Sequence, residues 1–388
     1  MDLIPRRLRG QLLRMAEWFP IVSVTGPRQS GKSTLVKDAF GDYECLNLED
    51  PATRAAAEED PVGFIRSHPG RLVIDEAQRV PDLFSVLQVV SDERDEVGQF
   101  VLLGSQNFLM SRRIGQSLAG RVGLATLLPL SFGEAGAGGV CGSLDEFILR
   151  GGYPRLLRSG MPTPVFFQSY LDTYVNRDVA GELDVRNLAS FRRMLGLCAQ
   201  RAGGLLNVSD LASDAGVSFQ TAKSWLSILQ ESFVIYLLPA YAANEGKRLR
   251  KSPKLYFYDT GLLCHLLDLR DEQDMRLSAH FGAIVENFVL IETLKSHLNK
   301  GEEARLFYYR DDSKREIDLI DEGAAGGGIM VEVKAGETYR DKFAGPMRSV
   351  GEELGFDRDR RVVVYRGSES FEGKTCRVLS LADYVAGL

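Results

Sequence analysis

Apolar runs and helical patterns alternate along the first third of the chain. Five runs predict strands, in "PIVSVT", "YECLNL", "RLVIDEA", "QFVLLGS" and "RVGLATL". In "PDLFSVLQVVSDER", Pro81 suits a first helical turn, and Leu83, Val86, Leu87 and Val90 recur at helical spacing. Strands that alternate with helices predict a mostly parallel sheet with helices on both faces, an α/β fold.

The middle third is predicted to be mainly helical, from Leu144 to about Gln200 and beyond. In the segment "NVSDLASDAGVSFQTAKSW", we expect Ser209 to cap a short helix, Gly216 to form a turn and Ser218 to cap a second helix. The apolar run "FVIYLLPAY" then predicts a strand. This order is typical of a winged helix-turn-helix.

The last third begins with a predicted long amphipathic helix from about Gly282. Strands are predicted in "RLFYYR", "REIDLI", "IMVEVKA" and "RVVVYR", and a helix closes the chain. The glycine-rich stretch "GEAGAGGVCG", starting at Gly133, is predicted to be a linker. We therefore predict three domains, at residues 1–135, 136–270 and 271–388.

Composition adds limits to this picture. A chain of 388 residues exceeds what a single core usually organises. No apolar run approaches a membrane span, and the first residues lack a signal-peptide pattern, so we expect a cytoplasmic protein with no membrane partner. The five cysteines lie far apart and are expected to be reduced and mostly buried. A net charge of -6 confines any nucleic-acid contact to local basic patches.

The stretch "GPRQSGKST" fits the phosphate-loop pattern G-x-x-x-x-G-K-[ST]. Its glycines allow the backbone to turn N–H groups toward phosphate oxygens, and the helix that follows adds its positive end. Lys32 is expected to reach the β- and γ-phosphates of ATP, and the Ser33 hydroxyl to bind Mg²⁺. The residues predicted to hold the nucleotide are Gly26, Pro27, Arg28, Gln29, Ser30, Gly31, Lys32, Ser33 and Thr34.

Other strand ends supply candidate catalytic residues. In "VIDEAQ", Asp75 is predicted to support Mg²⁺ and Glu76 to activate the attacking water, although such a pair also occurs in solvated turns. After the next strand, Ser105 is favoured over its polar neighbours in "SQN" as a sensor of the γ-phosphate. Arg121 is either an arginine finger for a neighbouring subunit's nucleotide or a plain surface arginine.

The predicted second helix of the middle domain offers one cation, Lys223, to DNA, which predicts weak binding by the helix alone. The run "KRLRKSPK", with Lys247, Arg248, Arg250 and Lys251, is a stronger basic patch. An interdomain or solvated surface explains this run equally well. Winged helices also dock proteins, so a protein partner stays open.

Two acidic strands near the end of the chain raise a second candidate site. Because side chains alternate along a strand, Glu332 and Lys334 are expected on one face. If the preceding strand pairs in register, its Asp318 converges with them on that face. Glu286, in the earlier helix, completes a possible oxygen-ligand set for Mg²⁺, with Lys334 beside it. The alternative is an ion pair between Lys334 and one of these acids.

This order of helix glutamate, strand aspartate and E-x-K resembles the PD-(D/E)xK nuclease superfamily, with "ID" in place of "PD". Together with "GPRQSGKST", "VIDEAQ", "SLAGRV", "GGYP" and "RLRKSPKLYFYDTGLL", nearly the whole chain resembles prokaryotic AAA-type ATPases that carry a C-terminal domain of unknown function. The resemblance implies an AAA-like P-loop domain, a winged-helix middle and a restriction-endonuclease-like α/β end. A signature this short also survives in inactive relatives.

Three functions fit the sequence. The first is a Mg²⁺-dependent ATPase whose cycle directs the middle and C-terminal domains on DNA, with DNA cleavage left open. The second is a homo-oligomeric translocase or branch-migration helicase with a silent nuclease-like domain. The third is an ATP-dependent signalling switch that binds a protein partner.

Overall fold

The structure, a computed structural model, describes four ranges of the chain: residues 3–104, 118–174, 188–241 and 251–388. These residues form two compact units. The first comprises Met1–Leu130 with two short stretches, Glu231–Phe233 and Leu298–Glu302, and the second comprises Ser131–Gln230, Val234–His297 and Glu303–Leu388. The division into three domains stays a prediction.

The first unit contains a five-stranded parallel sheet in the order β2-β3-β4-β1-β5. Its strands are β1 (Ile21–Thr25), β2 (Glu44–Asn47), β3 (Leu72–Asp75), β4 (Phe100–Gly104) and β5 (Val122–Thr126). All five lie within the predicted runs. Because every pair is parallel, the carboxyl ends of the strands meet at one edge, and the predicted phosphate loop follows β1 at that edge.

Helices cover both faces of this sheet, as predicted. They are α1 (Leu8–Trp18), α2 (Lys32–Ala39), α3 (Pro51–Glu59), α4 (Pro61–Arg66) and α5 (Leu83–Arg94). Successive residues of β3 enter opposite cores, since Leu72 and Ile74 pack with Leu87 of α5, whereas Val73 packs with Leu12 of α1. This burial on both faces explains why the central strands β1, β3 and β4 are mostly apolar, whereas the edge strand β2 is largely exposed.

Helices dominate the chain after residue 130. They are α6 (Phe132–Ala137), α7 (Leu144–Arg150), α8 (Pro154–Ser159), α9 (Thr163–Tyr174), α10 (Leu188–Gln200), α11 (Val208–Ala215), α12 (Phe219–Glu231), α13 (Thr260–Leu266), α14 (Glu272–Leu277), α15 (Phe281–Lys300), α16 (Gly345–Leu354) and α17 (Leu381–Ala386). After α11 and α12 come β6 (Ile235–Leu238) and β7 (Lys254–Phe257), which form an antiparallel pair. The predicted strand in "FVIYLLPAY" is therefore present.

The C-terminal part of the second unit contains a six-stranded mixed sheet in the order β12-β13-β11-β10-β9-β8. Its strands are β8 (Leu306–Arg310), β9 (Glu316–Asp321), β10 (Ile329–Lys334), β11 (Arg361–Tyr365), β12 (Phe371–Glu372) and β13 (Arg377–Ser380). Strands β8, β9 and β10 are antiparallel neighbours, and β11 adds parallel to β10. The predicted hairpin between β9 and β10 is confirmed.

Three local predictions were wrong. Asn207, not Ser209, caps α11, because its side-chain oxygen accepts hydrogen bonds from two backbone N–H groups. The predicted glycine-rich linker begins within helix α6, which Ser131 and Glu134 stabilise through a reciprocal capping box. Helix α15 is buried on nearly all sides rather than amphipathic. Ser218 does accept a hydrogen bond from the Thr221 N–H, as expected of a cap.

Among the helices in the four described ranges, none is both long and apolar enough to span a membrane. Of the cysteines, Cys198, Cys264 and Cys376 are buried, whereas Cys141 is half-buried and Cys45 exposed. All five are free thiols, as predicted.

Candidate functional site

The phosphate loop connects β1 to α2 in a conformation that only glycine adopts easily at two positions. Gly26 has φ 148°, and a Cβ atom there would lie 2.1 Å from the backbone oxygen of Leu127. Gly31 has φ 96° directly before α2. The loop is therefore tightly wound against its neighbour strand, as a phosphate cradle requires.

Lys32 is the first residue of α2 and is buried. Its ammonium donates to the backbone oxygens of Gly26 and Pro27 at 2.8 and 2.9 Å. Burial lowers the pKa of Lys32 to about 8, although Glu76 and Asp75 partly oppose this shift. The Lys32 side chain thus lies against the backbone of the phosphate loop.

Ser33 and Asp75 meet at the carboxyl edge of the sheet. The Ser33 hydroxyl donates to Asp75 Oδ2 at 2.8 Å, although 42 residues separate them in the chain. Hydroxyl and carboxylate oxygens form the hard ligand set that Mg²⁺ prefers. The Ser30 hydroxyl within the loop is buried and has no hydrogen-bond partner within the four described ranges, so it is available to a bound group. These residues fit Mg²⁺-ATP, with Ser33 and Asp75 as the metal-side pair.

Glu76 follows Asp75 in a left-handed conformation, with φ 55° and ψ 43°. Its carboxylate accepts a short hydrogen bond from the Gln78 amide, and its backbone N–H donates to Asp75 Oδ1 at 3.0 Å. A non-glycine residue in this region is strained, and such strain is common at functional positions. The turn thereby sets Glu76 beside the predicted metal ligand.

Arg6 contacts the phosphate loop but was missed by the sequence analysis. Its guanidinium donates to the backbone oxygens of Ser30 and Leu128, both at 2.7 Å. No pattern in the sequence indicates contacts across 24 and 122 residues. This arginine ties the loop to the segment that follows β5.

Arg121 lies at the opposite end of the sheet from the loop. It directly precedes β5, whose first residue Val122 pairs with Ile21, the first residue of β1. The Arg121 guanidinium forms two hydrogen bonds with Asp92, at 2.6 and 2.9 Å. A strand of this length separates it from its own phosphate loop by about 15 Å. Ser105 lies outside the described residues, so its predicted role stays a prediction.

Two of the residues predicted to bind DNA, Lys223 and Lys251, lie within the described ranges. Lys223 is exposed on α12, as expected. Lys251 donates through its ammonium to the backbone oxygen of Arg310 at 2.8 Å, so it is engaged within the chain. Lys247, Arg248 and Arg250 lie outside the described residues.

Four carboxylates converge in the second unit, and we call them the acidic cluster: Glu286 of α15, Glu316 and Asp318 of β9, and Glu332 of β10. Lys334 donates to Glu332 Oε1 at 2.6 Å, which confirms that these two side chains share a face. It is also the ion pair that the sequence left open as the alternative. The Asp318 side chain accepts a hydrogen bond from the backbone N–H of Val333 in the neighbouring strand β10, at 2.8 Å.

A second lysine, missed by the sequence analysis, enters the cluster from β7. The Lys254 ammonium lies 3.0 Å from Glu286 Oε1, 2.6 Å from Glu316 Oε1 and 3.9 Å from Asp318 Oδ1. Tyr256, two residues along the same strand, donates a short hydrogen bond to Glu286. In the sequence, Lys254 belongs to the basic run "KRLRKSPK", for which a DNA contact and an interdomain or solvated surface were equally good explanations.

The electrostatics of the cluster follow from burial and crowding. Burial, with Asp318 nearby, raises the pKa of Glu286 to about 7 and that of Glu332 to about 8. Burial alone lowers the pKa of Lys254, but the surrounding carboxylates, first Glu286, outweigh it, so the net shift is upward. The cluster favours a positive charge in its centre, and Lys254 provides it.

These residues do not fit a metal ion as they are arranged. Within the part of the chain that the structure describes, no group of three or more His, Cys, Asp or Glu side chains could hold one. The oxygens predicted to bind Mg²⁺ on Glu286, Asp318 and Glu332 mostly engage Lys254, Val333 and Lys334 instead. The arrangement therefore gives the predicted second metal site no support.

The fold and the phosphate loop define the first unit as a P-loop nucleotide-binding domain of the AAA type, and residues 19–136 match the AAA domain family. Residues 142–273 and 281–384 match two domains of unknown function, DUF8612 and DUF4143. The chain belongs to the family of the uncharacterized protein Rv2008c of Mycobacterium tuberculosis, to which it is 36% identical over 99% of its own length and 85% of that protein's.

More distant similarities extend beyond the mycobacteria. The uncharacterized protein MJ1544 of Methanocaldococcus jannaschii is 21% identical over 90% of this chain and 82% of its own. Among solved structures, the Walker-type ATPase of Pyrococcus abyssi aligns with 69% of this chain and 96% of its own, at 13% identity and a TM-score of 0.46.

Proposed function

We propose that this protein hydrolyses ATP with Mg²⁺ at the site built by the phosphate loop and the end of β3. The observation that carries the proposal is the hydrogen bond from Ser33 to Asp75 at 2.8 Å, next to a buried Lys32. In this mechanism Lys32 and the loop N–H groups hold the phosphates, while Ser33 and Asp75 hold the metal. Mg²⁺ supplies charge neutralisation of the phosphates when bound.

Glu76 is the proposed base that orients and deprotonates the attacking water. Its position directly after Asp75, fixed by the left-handed turn and the Gln78 amide, supports this role. In this role the Glu76 carboxylate accepts a proton from the attacking water, whereas Asp75 is the residue that would bind Mg²⁺. Nucleotide binding and turnover are therefore assigned to different side chains.

Two substitutions separate these roles in steady-state ATP hydrolysis and nucleotide binding. Lys32→Ala is expected to abolish binding, whereas Glu76→Gln keeps binding and lowers turnover by about 10²–10⁴-fold. Lys37→Ala on the exposed face of α2 and Glu59→Gln at the end of α3 are matched controls expected to behave as wild type. Full turnover by the Gln variant would remove Glu76 from the mechanism.

DNA is the proposed macromolecule on which the ATP cycle acts. The exposed polar face of α12, with Gln220, Lys223 and Ser224, supports this assignment, and its single cation predicts a modest affinity. Single-stranded, duplex or branched DNA is expected to stimulate hydrolysis, and Lys223→Ala to reduce that stimulation while basal turnover is unchanged. Turnover indifferent to every DNA would favour a protein partner instead.

A further inference from the structure

The acidic cluster already contains a cation that belongs to the chain. Lys254 is 3% exposed, and its ammonium lies within 3.9 Å of three carboxylates from two different elements. Ammonium and metal ions compete for the same oxygens, because both are drawn to clustered negative charge. The lysine therefore occupies the space between Glu286, Glu316 and Asp318.

Other donors of the chain engage two further oxygens of the cluster. Asp318 Oδ2 accepts from the Val333 N–H, and Glu332 Oε1 accepts from Lys334. Glu332 Oε2 is buried and has no hydrogen-bond partner among the residues that the structure describes. A Mg²⁺ or Mn²⁺ ion needs several oxygen ligands at once, so it would have to compete with Lys254 and Lys334 for these carboxylates.

The backbone fixes Lys254 in this position. It begins β7, where it pairs with Leu238 of β6 and forms a further bridge with Leu205. Tyr256 projects from the same face of the strand and donates to Glu286, which orients that carboxylate toward the ammonium. Lys254 is therefore fixed through its backbone by two strand neighbours, and its carboxylate partner Glu286 is fixed by Tyr256.

We propose that the Lys254 ammonium is the resident cation of the acidic cluster. It excludes divalent metal, so the cluster serves to join β7 to the C-terminal sheet and does not cleave phosphodiesters. This assignment is independent of the proposed ATP hydrolysis, since none of its residues belongs to the nucleotide site. It also explains why the helix glutamate, strand aspartate and E-x-K are present without a metal site.

Mn²⁺ binding to the full chain, without nucleotide, tests the proposal. The measured quantity is the amount of bound Mn²⁺ that is lost when Asp318→Asn is added to the same protein. Ions held at the nucleotide site do not depend on Asp318, so they cancel in this difference. Wild type is expected to show none. Lys254→Ala is expected to gain such binding and the double variant with Asp318→Asn to lose it. Lys251→Ala removes a lysine three residues away and is expected to gain nothing.

Thermal unfolding keeps the test decisive if Lys254→Ala is poorly stable. Removing one partner of a buried ion pair leaves uncompensated charge, so this variant should melt below Lys251→Ala. Mn²⁺ is expected to raise its Tm, but not that of wild type or of the double variant. The proposal is overturned if wild type already binds Mn²⁺ through Asp318. It is equally overturned if Mn²⁺ neither binds nor stabilises Lys254→Ala.

Discussion

At the scale of single residues, the phosphate loop depends on a glycine that nothing else replaces. Gly26 has φ 148°, and a Cβ would collide with the Leu127 backbone oxygen at 2.1 Å. Gly26→Ala is therefore expected to abolish ATP binding and to lower the free energy of unfolding by about 1–3 kcal/mol. Calorimetric ATP titration and urea unfolding check both effects.

Gly70→Ala is the matched control for this substitution. A Cβ at Gly70 meets nothing within 4 Å, so wild-type binding and stability are expected. If Gly26→Ala also bound ATP normally, the tight approach of the loop to the strand would not be needed for nucleotide binding.

The buried lysine predicts how ATP affinity changes with pH. The pKa of Lys32 is lowered to about 8 by burial, so the nucleotide-free protein loses this charge above that pH. A bound phosphate favours the ammonium, so binding takes up a proton there and the Kd should rise about tenfold per pH unit. Titrations of ATP between about pH 7.5 and 9.5 measure this slope.

Lys32→Arg separates this cause from other effects of pH. A guanidinium keeps its charge throughout this range, so the residual ATP binding of the variant should not depend on pH. A wild-type Kd that is constant above pH 8 would contradict the lowered pKa of Lys32.

Residue motifs were the most predictable part of the molecule. Gly26, Lys32 and Asp75 were identified because a glycine loop and an apolar strand that ends in Asp are local patterns. Lys254 and Arg6 were not, because their contacts span from 24 to 122 residues and leave no periodic trace. Sequence patterns describe residues that are close together in the chain, whereas Lys254 and Arg6 contact residues that are far away in it.

At the scale of elements, β10 places the ionisable side chain of Glu332 in a buried position of the C-terminal sheet. Burial, with Asp318 nearby, raises the pKa of Glu332 to about 8 from its ordinary 4.5. The folded protein therefore keeps a proton that the unfolded chain releases. The contribution of Glu332 to the free energy of unfolding is therefore fully present below pH 4.5 and is lost as the pH rises through 8.

Glu332→Gln removes that dependence because the amide never ionises. The free energy of unfolding of the variant, relative to wild type, is expected to increase as the pH rises from about 5 to about 8.5. Urea unfolding at several pH values measures this difference. Glu303→Gln, at an exposed position, should give a difference that does not vary with pH, and a constant difference for Glu332→Gln would refute the raised pKa.

Strands were predicted better than helix ends and linkers. All five strands of the parallel sheet lie within the predicted runs, and burial on both faces leaves a continuous apolar signal in the central strands β1, β3 and β4. Helix α6 was missed because its glycines outweighed the capping box of Ser131 and Glu134. The S-x-x-E signal was present in the sequence and marks a helix start whatever follows.

At the scale of the whole molecule, Arg121 raises the question of assembly. It lies at the end of the sheet opposite the phosphate loop, so its own nucleotide is out of reach. We propose that Arg121 serves the nucleotide of a neighbouring copy in a homo-oligomer. An arginine finger contributes about 10³–10⁵-fold to turnover, so Arg121→Ala should be nearly inactive.

Mixing two inactive variants tests this arrangement. Lys32→Ala keeps the arginine and Arg121→Ala keeps the phosphate loop, so mixed oligomers contain some complete sites and should regain ATP hydrolysis. Asp92→Asn removes the partner of Arg121 and should keep activity. A mixture no more active than its separate components would leave Arg121 as a structural partner of Asp92.

The contacts of Arg6 have a practical consequence for handling the protein. Its guanidinium donates to the backbone oxygens of Ser30 and Leu128, so the segment just before α1 supports the proposed nucleotide site. A variant that lacks the segment before α1 would lack this arginine and both of its hydrogen bonds to the loop region. Turnover measured on such a variant would report on a loop without this support, so kinetic measurements need the segment before α1.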